Sequence, residues 1–314
     1  MNSAEKKRFR TNPKWMTRFL AVVKYELLWN IRKKKFLGVV IVAFALATLS
    51  LALPVILSNA ANQPLSQNPN YVIGTGAGIG GLGLFLFAVV TVMNSISGEF
   101  ESGTIVPLLT KPVSRTMVFV GKLFAAFLTL LTAYIVLNAY MAIGGTIVYG
   151  PQNNLHLIPI SLFGNVLSTF VWIAIVLAIG SISKSSILAA LGAFGIFLGL
   201  FIGVPIISVF SEQAWVLTYV PGSGASGRIK DLNPQISLST GTDNIATNLI
   251  NYILHPSSNV TFYKIDFSTP GLLVDLYVEP LSFVVLRSVL VASVYILVFS
   301  FVAWYAFRRA QVLG

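Results

Sequence analysis

Six long apolar segments constrain the fold of this chain more than any other feature of its sequence. An α-helix rises about 1.5 Å per residue, so about 20 apolar residues cross the hydrocarbon core of a bilayer. A helix also satisfies its own backbone hydrogen bonds, as that medium requires. The sequence therefore predicts an all-α integral membrane protein with transmembrane helices at 36–57, 72–96, 123–149, 158–182, 187–210 and 283–307.

Composition excludes several other classes of protein. Only 10% of the residues are charged, against about 25% in soluble domains. A net charge of +11 would suggest nucleic acid binding in a soluble chain, but in a membrane protein the position of the charge matters more, and we expect no nucleic acid partner. The absence of cysteine rules out disulfides, thiolate metal sites and a cysteine nucleophile.

Lysine and arginine lie mostly on one side of the predicted helices. Eleven of the 21 fall in 1–35, three in the loop 97–122, and the others on that side are Lys184, Arg308 and Arg309. The positive-inside rule then predicts a cell membrane protein with both termini cytoplasmic. In this arrangement 1–35 is a basic cytoplasmic N-terminus, 308–314 a cytoplasmic tail, and 211–282 an extracellular insert between helices five and six.

An amphipathic segment precedes the first predicted span. On a helical wheel of 14–31 one half is apolar, the other half is basic, and Glu26 and Asn30 are exceptions to the pattern. This predicts an interfacial elbow helix in contact with lipid head groups. It is either a simple anchor or an element that transmits motion into span one. The residues that we assign to the elbow helix are Trp15, Phe19, Val23, Glu26 and Leu27.

The cytoplasmic loop 97–122 is too apolar for a solvated connection. Pro107 and Pro112 forbid one continuous helix, so we expect a short helix near 99–110 and a second helix with Ser114 as its N-cap. Exposed apolar side chains favour a docking element over a solvated hairpin. The candidate docking residues are Glu99, Glu101, Gly103, Thr104, Leu108, Leu109, Pro112 and Arg115.

The order of residues in this loop resembles the signature of the ABC-2 permeases, the membrane subunits of type V ATP-binding-cassette exporters. An acidic residue, Gly103-Thr104, the leucine pair 108–109, the Pro-Val-Ser-Arg stretch 112–115 and Gly121-Lys122 follow in that order. The resemblance implies a coupling helix near 99–115 that docks on a cytoplasmic ABC ATPase subunit. It also implies a second permease subunit, identical or different, with the substrate path at the interface. The insert 211–282 is longer than the resemblance leads us to expect.

No segment of the chain fits a P-loop, because Gly121-Lys122 continues with leucine. We therefore expect no cofactor on this chain, with ATP and Mg²⁺ on the partner ATPase. A literal Gly-x-Gly-x-x-Gly at 76–81 follows no predicted strand, so close helix packing explains it better than nucleotide binding. Gly195, Gly199 and Gly203 form a second ladder of small residues, which predicts either a subunit interface or tight packing within the chain.

Three other functions were weighed against ATP-driven transport. An ion-coupled transporter places ionisable groups inside the membrane, yet the six predicted spans contain only Arg287, near an outer end where we expect it to snorkel to the interface. This absence favours an external energy source and an amphipathic or lipid-like cargo such as a drug, peptide or lipid. An enzyme is disfavoured, because His156 and His255 are isolated. A mechanical relay acting on external partners stays open because the insert is large.

The insert mixes turn residues with short apolar runs, and we expect small helices over the pathway or a modest external domain. Asn259-Val260-Thr261 in this insert is an N-glycosylation sequon. Asn259 is therefore a candidate acceptor in an organism that glycosylates this face.

Overall fold

The computed structural model describes residues 15–32, 34–65, 68–74, 80–104, 113–232, 235–266 and 272–310. Their helices are α1 (Trp15–Arg32), α2 (Lys34–Ala60), α3 (Tyr71–Gly74), α4 (Gly80–Val92), α5 (Ser97–Glu101), α6 (Arg115–Tyr149), α7 (Ile158–Ser183), α8 (Ser186–Phe210), α9 (Ile245–Leu254) and α10 (Leu281–Arg309). Short 3₁₀ turns at Leu155–Leu157, Ala214–Tyr219 and Thr242–Asn244 join some of them.

Six helical segments are long and apolar enough to cross a membrane, as the sequence predicts. They are Phe36–Ala60, Gly80–Glu101, Arg115–Tyr149, Leu155–Ser183, Ser186–Phe210 and Leu281–Arg309. The third begins eight residues before its predicted start. Ser114 is its N-cap, as predicted, and the Ser114 Oγ accepts a hydrogen bond of 3.1 Å from the Met117 N–H.

Helix α7 is the centre of the bundle. It packs against α4, α6, α8 and α10, and 72% of its most apolar window is buried, against 17% for α2. Trp172 on α7 is fully enclosed by Phe85 and Phe197, with ring centroids 5.5 and 5.2 Å away. Large aromatic side chains thus fill the space between spans two, four and five.

The insert between α8 and α10 contains a four-stranded antiparallel sheet, which the sequence analysis did not anticipate. Its strands β1 (Ser226–Ile229), β2 (Ile236–Ser239), β3 (Asn259–Asp266) and β4 (Leu272–Pro280) lie in the order β2-β1-β3-β4. One face buries a small core that includes Ile229, Leu238, Val260 and Phe262 together with the start of α10. The membrane bundle is helical as predicted, and the sheet is an addition to it.

Part of the insert returns into the helical bundle. Helix α9 packs against α7 and α10, and the turn before it contacts α4. A Cβ built on Gly164 of α7 would lie 2.4 Å from the Ala246 Cα and 2.5 Å from the Ala246 nitrogen. Glycine at position 164 is therefore what allows the backbone of α9 to approach this closely.

The second glycine ladder lies on an open face of α8. A Cβ on Gly195, Gly199 or Gly203 would meet no atom within 4 Å among the described residues. Within that part of the chain no neighbour packs closely on these three glycines, and their role at a subunit interface stays a prediction.

The expectation for Arg287 was wrong. Its side chain is 5% exposed, and it forms an ion pair of 2.8 Å with Glu279 at the end of β4. The rings of Tyr219 and Phe283 lie 5.7 and 5.4 Å from its guanidinium. The insert folds over the outer end of α10 and provides the partner, so this arginine does not need to reach water.

Candidate functional site: the cytoplasmic coupling region

A buried ammonium group joins three helices at one end of the bundle. The Lys122 Nζ on α6 donates to the Glu26 Oε1 on α1 at 2.6 Å and to the Glu99 Oε1 on α5 at 2.8 Å. The Lys122 and Glu26 side chains are 3% and 6% exposed, and that of Glu99 is 18% exposed. Charge-assisted hydrogen bonds of this length are strong and fix the relative positions of the three helices.

The two exceptions on the helical wheel of the elbow segment mark its packed face. Among the described residues of α1, the buried ones are Val23, Glu26 and Asn30, which lie at i, i+3 and i+7 and therefore share one face. Trp15 is 60% exposed, while Phe19 and Leu27 are partly buried. The helix itself is present as predicted, and its contact with lipid head groups stays a prediction.

Glu101 is exposed and also binds the start of span five. Its Oε1 accepts a hydrogen bond of 2.7 Å from the Ser186 N–H, in the first turn of α8. A carboxylate at this position satisfies a free N–H group and interacts favourably with the helix dipole. The two acidic residues of α5 therefore reach two different neighbours, Lys122 on α6 and Ser186 on α8.

Arg115 holds the C-terminal end of span six. Its Nη1 donates to the main-chain oxygens of Arg308 at 2.9 Å and Ala310 at 2.8 Å, with a longer contact of 3.4 Å to Phe307. The last carbonyl groups of an α-helix have no partner within it. The guanidinium caps them, so α6 and the end of α10 are joined at this point.

A glycine turn ends α5. Gly103 adopts a φ of +67°, and its N–H donates to the Phe100 oxygen, a left-handed conformation that glycine adopts without strain. Thr104 is exposed and its Oγ1 lies 2.9 Å from the Ser102 Oγ. Leu108, Leu109 and Pro112 lie outside the described residues, and their role in docking stays a prediction.

A cavity of about 1030 Å³ lies between α1, α5 and the start of α6. Glu26, Glu99 and Lys122 line one part of it, and Tyr25 and Trp29 of α1 line another. The elbow helix is therefore attached to the bundle along one face while open space remains beside it.

The six predicted spans contain no lysine or acidic residue, but the observed segments do, since Gly80–Glu101 includes Glu99 and Glu101. Lys122 falls within the third span because α6 begins at Arg115. Asp243 lies in the insert and contacts span four. The Trp172 Nε1–H of α7 donates a hydrogen bond to the Asp243 Oδ1 at 2.9 Å. Sequence reasoning did not identify Lys122 and Glu26 as partners. The available signal was Glu26, an acidic residue that breaks the amphipathic pattern of the helical wheel. Nothing in the local sequence indicates the position of Asp243.

The environment of Asp243 disfavours its charged form. Its Oδ2 lies 2.8 Å from where a Cβ on Gly81 would be, so the first turn of α4 presses against the carboxyl group. Burial raises the pKa of Asp243 to about 7, although hydrogen bonds from Trp172 and Thr242 oppose the shift.

This elevated pKa predicts that the protein loses stability as the pH rises from about 4 to 7. The unfolded carboxyl releases its proton near its ordinary pKa, whereas the folded one must be deprotonated against its surroundings. Asp243→Asn should remove that part of the pH dependence, worth about 1–2 kcal/mol because the residue as a whole is only partly buried. Thermal unfolding at pH 5 and pH 8 measures it.

The control for this prediction is Asp275→Asn. Lys230 and Arg228 lower the pKa of Asp275, so the stability from that carboxylate is present above about pH 4 and is lost only in acid. The change at Asp275 should therefore leave the difference between pH 5 and pH 8 intact. Equal pH dependence in Asp243→Asn and the unmodified chain would contradict the assignment.

Two other features predicted from the sequence concern metal binding and glycosylation. Within the described ranges no group of three or more His, Cys, Asp or Glu residues could hold a metal ion. Asn259 is exposed at the first position of β3, and its glycosylation stays a prediction.

Comparison with known proteins assigns the chain to a family. The family model described as ABC-2 family transporter protein matches residues 20–312, which include most of α1, all six spans and the insert. No curated protein matches the chain. The chain therefore belongs to the ABC-2 family of transporter proteins, as a multi-pass permease subunit of an ABC transporter.

Proposed function

We propose that this permease exports an amphipathic or lipid-like substrate, and that an ATPase subunit docked near residues 99–115 drives it. Family membership implies an ABC ATPase partner. The observation that carries the rest of the proposal is that charged side chains of this short segment contact α6, α8 and α10 directly and reach α1 through Lys122. Glu99 reaches Lys122 and through it Glu26 of α1, Glu101 reaches the start of α8, and Arg115 reaches the end of α10.

These contacts make the segment a mechanical junction. A push on its exposed residues is transmitted to spans three, five and six and to the elbow helix, because buried charge pairs resist separation. The cavity beside α1 leaves room for the elbow helix to move. ATP-driven closure of the ATPase pair would then rock the spans and open a path toward the outside.

The proposed cargo follows from the lipid-accessible surfaces of the spans. Helices α2 and α8 have little of their apolar surface buried, 17% and 22%, and α8 carries no charged residue along its length. A path lined by such surfaces favours molecules that carry their own apolar surface.

Leu108→Asp/Leu109→Asp should abolish association with the ATPase, because two charges replace the apolar pair that the family signature places in the docking groove. The tagged chain is purified from its native membrane in detergent, and ATPase activity is measured on the material that comes with it. We expect at least a tenfold loss of co-purified ATPase activity.

The matched control is Leu273→Asp, which places the same charge on an exposed residue of the external strand β4. It should retain the ATPase. A double variant that still co-purifies with the ATPase as the unmodified chain does would contradict docking at this segment.

We further propose that two permease subunits meet along α8. The supporting observation is the open space around Gly195, Gly199 and Gly203, since small residues on an exposed face allow two helices to approach closely. The substrate path would lie at this interface.

The absence of cysteine in the native chain allows a clean test. Gly199→Cys should form an intermolecular disulfide in oxidised membranes, because the two Cα atoms at such an interface lie within bonding range. Leu297→Cys, which is 70% exposed on α10, is the control and should remain monomeric on a non-reducing gel. Equal cross-linking of both variants, or none at Gly199→Cys, would argue against the α8 interface.

A further inference from the structure

The outer part of the insert contains a small polar pocket that transport does not explain. It has a volume of about 230 Å³ and lies where the edge of the sheet meets the start of α9. Besides Tyr263, six of its lining side chains carry a hydroxyl or amide group, namely Ser226, Ser237, Ser239, Asn244, Thr247 and Asn248. Leu238 and Tyr263 complete the lining.

The chemistry of the lining favours an uncharged ligand rich in hydroxyl groups. No lining residue carries a formal charge. Arg228 on β1 and Lys230 just after it both form ion pairs with Asp275, although the Arg228 Nε has no hydrogen-bond partner among the described residues. An anion in the pocket would therefore have no unpaired cation from this cluster to bind it. Hydroxyl and amide groups both donate and accept hydrogen bonds, which is what an alcohol requires of its site.

The size and shape of the pocket narrow the class of ligand further. The volume lies below the range of about 300–1,000 Å³ that suits drug-sized ligands, and is large enough for one six-membered sugar ring. Tyr263 provides an aromatic wall against which the C–H face of such a ring can pack. The guanidinium of Arg228 lies 5.3 Å from the centre of this tyrosine ring and helps to hold it in place.

Asn248 supplies an observation that points to a ligand. Its side chain is fully buried and its Nδ2 donates to the Ser239 oxygen at 3.0 Å, whereas its Oδ1 has no hydrogen-bond partner. A buried acceptor without a donor is unfavourable. A ligand hydroxyl entering beside Thr247 and Ser239 would supply the donor after a small rotation of those side chains.

We propose that this pocket binds a neutral sugar ring, either free or at the end of a glycan or glycolipid head group. The site bridges the sheet and α9, and α9 packs on span four. A ligand bound there would therefore contact α9, the element that connects the external insert to the membrane bundle. The proposal does not depend on the identity of the transported cargo.

The full chain is tested in phosphatidylcholine nanodiscs, because detergents with sugar head groups would occupy the site. Saturation-transfer difference NMR is recorded with methyl pyranosides, with glycerol and with inorganic phosphate as separate probes. A pyranoside signal with a millimolar dissociation constant is expected, since a ligand of so few atoms binds weakly. Glycerol and phosphate should give no comparable signal.

Ser237→Phe fills the pocket from an exposed strand position and should weaken pyranoside binding at least about tenfold. Ser257→Phe makes the same change at an exposed serine outside the lining and should bind as the native chain does. Thr247→Val keeps the shape, removes one hydroxyl and should weaken binding even if Ser237→Phe folds poorly. Pyranosides that give no signal, equal signals in all three variants, or a stronger response to phosphate would each overturn the proposal.

Discussion

Lys122→Met should destabilise the permease by about 3–5 kcal/mol, because it leaves two carboxylates, Glu26 and Glu99, close together without the ammonium that neutralises them. Thermal unfolding of the purified chain measures the loss. Methionine keeps the length and apolar stem of lysine, so the change in packing is small and the effect reports on charge.

Lys24→Met is the matched control for this substitution. Lys24 lies on the same elbow helix as Glu26 but is exposed, and surface changes usually stay within about 0.5 kcal/mol. If the two methionine variants unfold at the same temperature, the buried ammonium does not hold the three helices together.

A triple variant separates folding from mechanical coupling. Lys122→Met/Glu26→Gln/Glu99→Gln removes all three charges, and replacing a whole buried ion cluster with neutral groups is often well tolerated. We expect most of the stability to return. ATPase activity in the assembled complex should still lose its dependence on the permease, because methionine at position 122 has no donor to hold the side chains of α1 and α5 to α6.

Gly164→Val should separate the returning part of the insert from the bundle. The new side chain would overlap the backbone of Ala246 at 2.4–2.5 Å, and a backbone cannot rotate away as a side chain can. The expected cost lies at or above the upper end of the usual 1–3 kcal/mol for overpacking. Thermal unfolding and the rate of proteolysis within 211–282 should both change.

Gly38→Val tests whether valine in a membrane helix is itself responsible. A Cβ at Gly38 meets nothing within 4 Å among the described residues, so this variant should resemble the native chain. If the insert is cleaved as slowly in Gly164→Val as in Gly38→Val, the close contact between α9 and α7 is not needed to hold the insert on the bundle.

The membrane helices could be predicted because their signal is local. A run such as 187–210 is too long and too apolar for any other structure in this setting, and Ser114 has the local chemistry of an N-cap. The strands β3 and β4 also have a local signal, since residues 260–263 and 274–278 are rich in β-branched and aromatic types. The six long apolar segments are the stronger signal in this sequence, and they led to the prediction of an all-α fold.

The charged contacts of the coupling region could not be predicted in the same way. Glu26 and Lys122 are 96 residues apart, and only tertiary packing brings them together. Asp243 reaches Trp172 because the insert folds back into the bundle, which depends on close contacts such as that at Gly164. The family resemblance assigned Glu99 and Arg115 to a docking loop but carried no information about the internal partners that they bind.

The contact between Arg115 and the end of span six has a consequence for how these sequences can diverge. Arg115 recognises main-chain oxygens at positions 308 and 310, and every amino acid provides such an oxygen. Substitutions at those two positions can therefore accumulate without breaking the junction, provided that the helix ends at the same place. Correlated substitution between the coupling segment and the tail should consequently be weak, even though the two are physically joined, whereas a shift in helix length by one residue should be poorly tolerated.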